Sequence, residues 1–221
     1  MKVPNDNFFT EMLKNNTIRL FGKESRDIAL SYVTNFDTVI DIGAHIGISV
    51  LHWAEHFRDI RAYEPMPDHF NCLTENTDHL LHIKKFNYAI SNQRKTLKGA
   101  YRTSKNTGSF QLIDDNYRQP SKKTPRQLYE IESHRLDEFS FDSVGLIKID
   151  VEGWELEVLR GAANTIIKHQ PVLLIEFTGG NSKKSLHSYD VNEYFKIIES
   201  LNYVPVATSG DDTIYIPKES K

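Results

Sequence analysis

The sequence has little cysteine, no long apolar run and little net charge: its 221 residues include one cysteine and carry a formal charge of −3. A lone cysteine excludes an internal disulfide, as is usual in a reducing compartment, and we expect Cys72 to be a small buried apolar residue. No apolar stretch approaches the roughly 18 residues of a membrane span. The start of the chain, MKVPNDNFF, lacks the apolar centre of a signal peptide. The sequence therefore predicts a cytoplasmic protein with no membrane partner.

The weak negative charge argues against a protein that coats nucleic acid, but the charge is unevenly distributed. Residues 94–126 contain nine Lys or Arg residues and two Asp residues. Within this basic insertion, residues 96–102 and 109–113 are predicted to form a hairpin around 106–108, followed by a loop. The insertion is either part of a site for an anionic substrate or a solvated basic surface, and the sequence favours neither interpretation.

The length and the 39% apolar and 26% charged composition suit one globular domain over residues 1–221, with a helical N-terminal segment over 1–37. The stretch that organises the domain is TVIDIGAHIG at residues 38–47. Its apolar run predicts a buried strand that ends in a turn at Gly43 and Gly47, and the apolar spacing after the turn predicts a helix. Such a strand, turn and helix open a nucleotide-binding α/β fold.

The spacing of the glycines indicates which nucleotide binds there. Three residues separate Gly43 from Gly47, with no middle glycine, whereas a dinucleotide fingerprint needs G-x-G-x-x-G. The acid before the turn, Asp41, would repel a pyrophosphate but suits a cofactor with a cationic amino group. S-adenosylmethionine has such a group, and its carboxylate can meet free N–H groups of the turn and of the helix start. The motif therefore favours S-adenosylmethionine, and a purely topological glycine turn is the alternative.

A second acid, Glu64, ends the next predicted strand. A strand–helix–strand unit brings Glu64 to the same sheet edge as the glycine turn, where a carboxylate accepts hydrogen bonds from the ribose hydroxyls of a nucleoside. A solvated surface acid is the less favoured alternative. The third strand is predicted over Ile83 to Ile90, and it places Asn87, Tyr88 and Ala89 where adenine would lie and its edge could be read.

Two further predicted strands end in acids. The buried central strand LIKID ends in Asp150 and runs into Glu152, and a fifth strand, PVLLIEF, contains Glu176 near its end. In an open α/β sheet the ligand site is the crevice beyond the carboxyl ends of the strands, so these acids are expected to face one crevice. Two short segments, 203–207 and 213–216, predict a terminal antiparallel pair.

These segments resemble the FkbM family of S-adenosylmethionine-dependent methyltransferases. The similar segments are DIGAHIG (41–47), AYEP (62–65), NYAIS (87–91), RLDEF (135–139), LIKIDVEGWELEVLRGA (146–162) and PVLLIEF (171–177). The resemblance implies a Rossmann-like class I methyltransferase fold, with a mostly parallel seven-stranded sheet and helices on both faces. It also implies O-methylation of a hydroxyl on a sugar, glycan or small metabolite.

The resemblance also assigns roles to residues. The residues it implies for cofactor binding are Asp41, Gly43, Ala44, Gly47, Glu64 and Asn87. Asp150 and Glu152 are placed at the methyl-transfer site, with Asp150 also counted among the cofactor contacts. His45 is a further contact of the turn, although it stands where the family often has asparagine.

The expected chemistry is displacement at an activated methyl group, in which positioning supplies most of the acceleration and a general base removes the proton of the acceptor. The candidates for the base are Asp150 and Glu152, followed by Glu176. His52 and His56 have the i, i+4 spacing of zinc ligands but no third ligand, so no metal is predicted. Two other functions stay open: a nicotinamide-dependent oxidoreductase, and a non-catalytic cofactor-binding or scaffold protein of the same fold.

Overall fold

A computed structural model of the protein describes residues 1–4, 7–101, 110–113, 127–177 and 191–218. The helices are α1 (Asn7–Lys14), α2 (Lys23–Tyr32), α3 (Ile48–Trp53), α4 (Pro67–Thr77), α5 (Glu155–His169) and α6 (Val191–Ser200). The strands are β1 (Thr38–Ile42), β2 (Asp59–Tyr63), β3 (Ile83–Phe86), β4 (Ala89–Ile90), β5 (Lys95–Tyr101), β6 (Phe110–Ile113), β7 (Tyr129–His134), β8 (Leu146–Ile149), β9 (Val172–Glu176), β10 (Tyr203–Ser209) and β11 (Asp212–Pro217). None of the helices in these ranges has the length and apolar character needed to cross a membrane.

The larger sheet has seven strands in the order β10-β11-β9-β8-β1-β2-β3. The strands from β9 to β3 run parallel, while β11 pairs antiparallel with β9 and β10 pairs antiparallel with β11. The strand order reverses between β1 and β8, and a ligand crevice forms beyond the carboxyl ends of the strands at such a switch point. The predicted fold class, a mostly parallel seven-stranded sheet with a terminal antiparallel pair, is confirmed.

Strand β1 places the sheet between two layers of helices. All five of its residues are buried, and successive side chains point to opposite faces of the sheet. Ile40 and Ile42 belong to an apolar cluster that includes Val158 of α5, whereas Val39 belongs to a cluster that includes Trp53 of α3. The prediction of a strand buried on both faces is therefore confirmed.

A second sheet has the strand order β4-β7-β5-β6. Strands β5 and β6 form the predicted antiparallel hairpin, with Tyr101 opposite Phe110. The tip of the hairpin and the predicted loop after it lie outside the described residues. Strand β5 also pairs with β7, so the hairpin is continuous with strands that lie outside the basic insertion.

The third predicted strand, from Ile83 to Ile90, is wrong as a single strand. Strand β3 lies in the larger sheet, and β4 lies in the second sheet, parallel to β7. Asn87 separates them because its side-chain amide donates hydrogen bonds to the backbone carbonyls of Glu64 at 2.9 Å and Pro65 at 3.1 Å. Two residues thus carry the chain from one sheet to the other.

The N-terminal segment contains α1 and α2, in agreement with the helical prediction for residues 1–37. Phe9 of α1 shares an apolar cluster with Ile18 and Cys72. Cys72 is 4% exposed, so its predicted place as a small buried apolar residue is confirmed.

Candidate active site

A cavity of about 730 Å³ lies at the carboxyl ends of β1, β2, β8 and β9. This volume is in the range of small-molecule sites. One group of lining residues follows β1 and β2 or precedes β5: Gly43, Ala44, His45, Glu64, His69, Tyr88, Ala89 and Ile90. A second group comes from α2, β8, the turn after β8, β9 and the start of β11: Arg26, Lys148, Asp150, Glu152, Glu176 and Asp212. The cavity therefore lies where the sequence predicts the ligand crevice.

The glycine turn has a backbone shape that a side chain would prevent. Gly43 has φ +85°, and a Cβ there would lie 1.7 Å from the carbonyl oxygen of Asp150. Gly47 has φ +90°, and a Cβ there would lie 2.9 Å from Cδ1 of Leu73. Both positions therefore need glycine. Gly43 lines the cavity, whereas Gly47 does not line it and instead packs against Leu73 of α4.

Several N–H groups of this turn are already used inside the protein. Those of Gly43 and Ala44 donate to the carbonyl of Tyr63 at 2.9 and 3.0 Å, and that of Gly47 donates to the carbonyl of Ala44 at 2.9 Å. The prediction that the turn offers free N–H groups to a carboxylate is wrong for these three residues. The reason is that the end of β2 lies close enough to accept two of them.

Glu64, directly after β2, has a buried carboxylate that is held from several sides. Its Oε2 accepts a hydrogen bond from the N–H of His45 at 2.8 Å, and its Oε1 accepts one from the N–H of Met66 at 2.9 Å. The Nδ1 atom of His69 lies 3.6 Å from Oε1. Burial raises the pKa of Glu64, but His69, His45 and the N–H of Met66 outweigh it and hold the pKa below its usual value. The carboxylate is therefore anionic, and it keeps lone pairs for a ligand.

His45 has a left-handed backbone, with φ +50°. Histidine, asparagine and aspartate adopt this conformation more readily than other residues with side chains. The left-handed backbone thus explains why histidine can occupy a position at which the family often has asparagine. The His45 ring lies between those of Phe9 and His69, with centroid separations of 5.0 and 4.1 Å. Burial, followed by the nearby His69, lowers the pKa of His45 to about 3, so the ring is neutral at physiological pH.

Asp41 is fully buried and lies behind the cavity wall, outside the set of lining residues. Its Oδ2 accepts a hydrogen bond from Nε1 of Trp53 at 2.9 Å, which orients the carboxylate towards the α3 face of the sheet. Its Oδ1 lies 3.7 Å from Nζ of Lys148. Burial raises the pKa of Asp41 against the effect of Lys148. The predicted direct contact between Asp41 and a cationic cofactor group therefore does not fit this geometry. Asp41 instead contacts Lys148, and Lys148 lines the cavity.

Lys148 is a buried cation in the middle of β8 and lines the cavity. Its Nζ lies 2.9 Å from Oδ2 of Asp150 and 3.7 Å from Oδ1 of Asp41. Burial lowers the pKa of Lys148, but the charges of Asp150 and Asp41 raise it more, and the pKa lies above its usual value. Lys148 is therefore charged and joins two of the predicted site acids into one ion-pair network.

Three acids lie side by side across β8, β9 and β11. Ile149 pairs with Ile175 on parallel strands, which sets Asp150 beside Glu176, and Glu176 pairs with Asp212 on the other side. All three acids line the cavity. In the described part of the chain, no group of His, Cys, Asp or Glu side chains is arranged to hold a metal ion.

Asp150 and Glu176 differ in their readiness to take a proton. The charge of Asp150, followed by burial, raises the pKa of Glu176 to about 10. Burial also raises the pKa of Asp150, but Lys148 and a hydrogen bond shared with Glu176 lower it more, and the pKa lies below its usual value. At neutral pH Glu176 therefore carries the proton of the pair and Asp150 is the anion.

Glu152 lies in a tight turn between β8 and α5 and lines the cavity. Its backbone is left-handed, with φ +53°, and Gly153 follows with φ +108°. The turn is held by Glu155, which is fully buried and accepts a hydrogen bond from the N–H of Gly153 at 2.8 Å. Strained backbone at a residue with a side chain is concentrated at functional sites, so Glu152 stays a candidate for contact with a substrate.

Asn87 and Ala89, both predicted to contact adenine, differ in their placement. Ala89 lines the cavity between Tyr88 and Ile90, whereas Asn87 is outside the set of lining residues. The side-chain amide of Asn87 binds the backbone after β2 instead. The wall available to a nucleobase is therefore aromatic and apolar, and Asn87 supports the position of Glu64.

The lining residues that sequence reasoning missed include Arg26, His69, Lys148 and Asp212. Lys148 had a usable signal, because a charge inside an otherwise apolar buried strand requires a buried partner. Arg26 is 3% exposed, and its Nη1 donates to the carbonyl of Phe21 at 2.7 Å. Helical periodicity marks such residues as buried or exposed but does not identify the partners that they meet.

The strand order and the cavity at its switch point define a doubly wound α/β fold with a ligand site at the carboxyl ends of its strands. This is the arrangement that the resemblance implies for a class I methyltransferase. Residues 41–205 match the methyltransferase FkbM domain, a match that extends over more than half of the chain. The protein belongs to the FkbM methyltransferase family.

Solved structures with a similar fold agree with this class. A methyltransferase FkbM from Methylobacillus flagellatus KT is 18% identical with a TM-score of 0.54, over 81% of this chain but only 43% of that chain. The N-methyltransferase NodS from Bradyrhizobium japonicum WM9 is 14% identical with a TM-score of 0.52, over 97% and 100% of the two chains. DesVI from Streptomyces venezuelae is 11% identical with a TM-score of 0.51, over 99% and 100%. No curated protein matches the chain significantly.

Proposed function

We propose that the protein transfers a methyl group from S-adenosylmethionine to a hydroxyl of a sugar, glycan or small metabolite. The observation that carries the proposal is one cavity lined by two anionic carboxylates with different surroundings, Glu64 after β2 and Asp150 after β8. A carboxylate at the first position accepts hydrogen bonds from ribose hydroxyls in sheets of this topology. A carboxylate at the second position can take the proton of an acceptor.

The cavity residues fit this cofactor. Glu64 keeps lone pairs for ribose hydroxyls after its bonds to the protein are counted. Tyr88, Ala89 and Ile90 supply an apolar wall for adenine. The network around Lys148 contains two carboxylates and one ammonium group, which suits a ligand with cationic sulfonium and amino groups.

The chemistry expected of the chain is orientation and proton removal. When bound, S-adenosylmethionine supplies an activated methyl group on a sulfonium sulfur. Asp150, kept anionic by Lys148, has a lowered pKa and is a weak base, so it accepts the proton of the acceptor hydroxyl as methyl transfer makes that proton strongly acidic. Glu176 is already protonated and can donate a hydrogen bond. Orientation supplies most of the acceleration, and a general base contributes about 10²–10⁴-fold.

Calorimetry with S-adenosylhomocysteine and with NAD tests the cofactor. We expect S-adenosylhomocysteine to bind and NAD not to bind. Binding of NAD alone would favour a nicotinamide-dependent oxidoreductase. Binding of S-adenosylhomocysteine without turnover on any acceptor would favour a cofactor-binding or scaffold protein of the same fold.

Screening with isotopically labelled S-adenosylmethionine tests the acceptor class. Sugars, glycans, small hydroxyl metabolites and amines form the panel, in neutral and anionic versions, and labelling of amines alone would overturn the proposal of a hydroxyl acceptor.

Neutralising Lys122, Lys123 and Arg126, which lie outside the described residues, tests the basic insertion. We expect weaker affinity for an anionic acceptor, and unchanged kinetics at low salt would make the insertion a solvated surface.

Substitution of the candidate bases tests the mechanism. Asp150→Asn is expected to lower kcat by about 10²–10⁴-fold, with a smaller effect on the affinity for S-adenosylhomocysteine, and Glu152→Gln is measured in parallel. Asp142→Asn, at an exposed position before β8, is the matched control. Unchanged turnover in both active-site variants would show that the base lies elsewhere or is unnecessary.

A further inference from the structure

His69, in the first turn of α4, lies between the cofactor end of the cavity and the second sheet. Its side chain is 2% exposed and has a polar atom near each ring nitrogen. Nδ1 lies 3.6 Å from Oε1 of Glu64, just beyond hydrogen-bond distance. Nε2 lies 3.5 Å from the hydroxyl of Tyr101 at the end of β5. One buried ring therefore connects the carboxylate after β2 with the hairpin of the second sheet.

The chemistry of the two partners fixes the tautomer that this arrangement needs. A neutral imidazole has one N–H donor and one acceptor nitrogen, and an ionised carboxylate only accepts. In the neutral ring the proton of His69 therefore belongs on Nδ1, towards Glu64, which leaves Nε2 to accept from the hydroxyl of Tyr101. Burial raises the pKa of Tyr101, which keeps that hydroxyl protonated.

Packing holds the Tyr101 end of this chain in place. The Tyr101 ring meets the His69 ring edge to face, with centroids 6.0 Å apart. The Tyr101 ring also contacts Phe110 and Tyr129, with centroids 5.4 and 5.9 Å away. Phe110 is opposite Tyr101 in the hairpin, so the position of β5 and β6 sets the position of the hydroxyl.

The contact between His69 and Glu64 affects which acceptor position of the Glu64 carboxylate is left for a ligand. A carboxylate has about four acceptor positions. The N–H groups of Met66 and His45 take one position on each oxygen, and His69 approaches the second position of Oε1. The fourth position, on Oε2, is then the one best prepared for a ligand hydroxyl.

We infer that His69 is a positioning residue, supported by Tyr101, that orients the Glu64 carboxylate towards a ribose hydroxyl. This inference rests on the proposed use of S-adenosylmethionine. It predicts that affinity for the nucleoside end of the cofactor depends on a donor at the position of Nδ1, and that the second sheet influences this affinity through Tyr101.

Two substitutions of similar size separate positioning from packing. His69→Asn keeps an amide N–H near the place of Nδ1, whereas His69→Gln moves the amide towards the place of Nε2 and removes the donor to Glu64. We expect the Kd for S-adenosylhomocysteine, measured by calorimetry, to rise about tenfold or more for His69→Gln and to stay near the wild-type value for His69→Asn. Tyr101→Phe is expected to give an intermediate loss. His79→Gln, at an exposed position just after α4, is the matched control.

A double-mutant cycle with Glu64→Gln completes the test. If His69 acts through Glu64, adding His69→Gln to Glu64→Gln costs little further affinity. Equal losses for His69→Asn and His69→Gln, or full additivity with Glu64→Gln, would overturn the positioning role while wild-type binding stays intact. If the wild-type protein itself does not bind S-adenosylhomocysteine, the proposed function fails first and the inference falls with it. Thermal unfolding of each variant shows whether a change in Kd reflects loss of the fold.

Discussion

Replacing Lys148 by methionine is expected to destabilise the protein strongly, because it leaves buried carboxylate charge without compensation. Lys148 has a side chain that is 9% exposed, and Asp41 beside it is fully buried. Removing one partner of a buried ion pair costs about 3–5 kcal/mol. The free energy of unfolding of a typical protein is about 5–15 kcal/mol, so a large share of the stability would be lost.

Urea unfolding and thermal melting measure this loss. For a chain of this length, about 3–5 kcal/mol corresponds to a fall in Tm of about 6–20 °C. Lys84→Met is the control, since Lys84 is 55% exposed, lies 3.4 Å from Asp59 and should contribute no more than about 1 kcal/mol. Adding Asp41→Asn to Lys148→Met should recover part of the stability, because the amide can still accept the hydrogen bond from Trp53. A Lys148→Met protein within about 1 kcal/mol of the wild type would refute this account of the network.

Three further outcomes are expected. Gly43→Ala should abolish binding of S-adenosylhomocysteine in calorimetry, because the new Cβ at φ +85° would lie 1.7 Å from the carbonyl oxygen of Asp150; wild-type affinity would contradict this crowding. Glu176→Gln should keep most of kcat at pH 7, since glutamine resembles the protonated acid, and a loss as large as that of Asp150→Asn would contradict the assigned proton. The free energy of unfolding should fall as the pH drops from about 6.5 to 4, because the unfolded chain takes up protons that folded His45 and His52, with pKa values of about 3 and about 4, do not. In urea titrations His45→Asn should reduce the slope of the unfolding free energy against pH by up to about 1.4 kcal/mol per pH unit. An unchanged slope would show that His45 is not a neutral buried side chain in the folded protein.

The larger sheet could be predicted from the sequence because its strands are short apolar runs that end in acids or glycine. The second sheet could not be predicted as a sheet. Its hairpin follows from local alternation, but the parallel pairing of β4 with β7 joins segments more than forty residues apart. Asn87 separates β4 from β3 through hydrogen bonds to the backbone after β2, and no periodicity in the sequence reports such contacts.

The sequence predicted those residues of the candidate site that follow from the pattern of the strands, but not those that depend on tertiary contacts. Glu64, Asp150 and Glu176 line the cavity because the carboxyl ends of parallel strands meet at one edge. Asp41 lies one residue before the end of β1, and alternation along the strand turns its side chain to the same face as Val39, towards Trp53. The ion-pair partner, Lys148, comes from the neighbouring strand, and strand registers are set by tertiary packing.

The two-residue link between the sheets makes spacing itself part of the site. Two residues span at most about 7 Å, so β4 has no slack to slide along β7 while β3 stays in place. A one-residue insertion beside Asn87 would shift that pairing and turn the side chains of β4 to the opposite face. Ala89 would then leave the cavity wall, although every cavity-lining side chain would still be present in the sequence. Insertion or deletion of one residue at this junction should therefore reduce activity more than most single substitutions in the cavity wall.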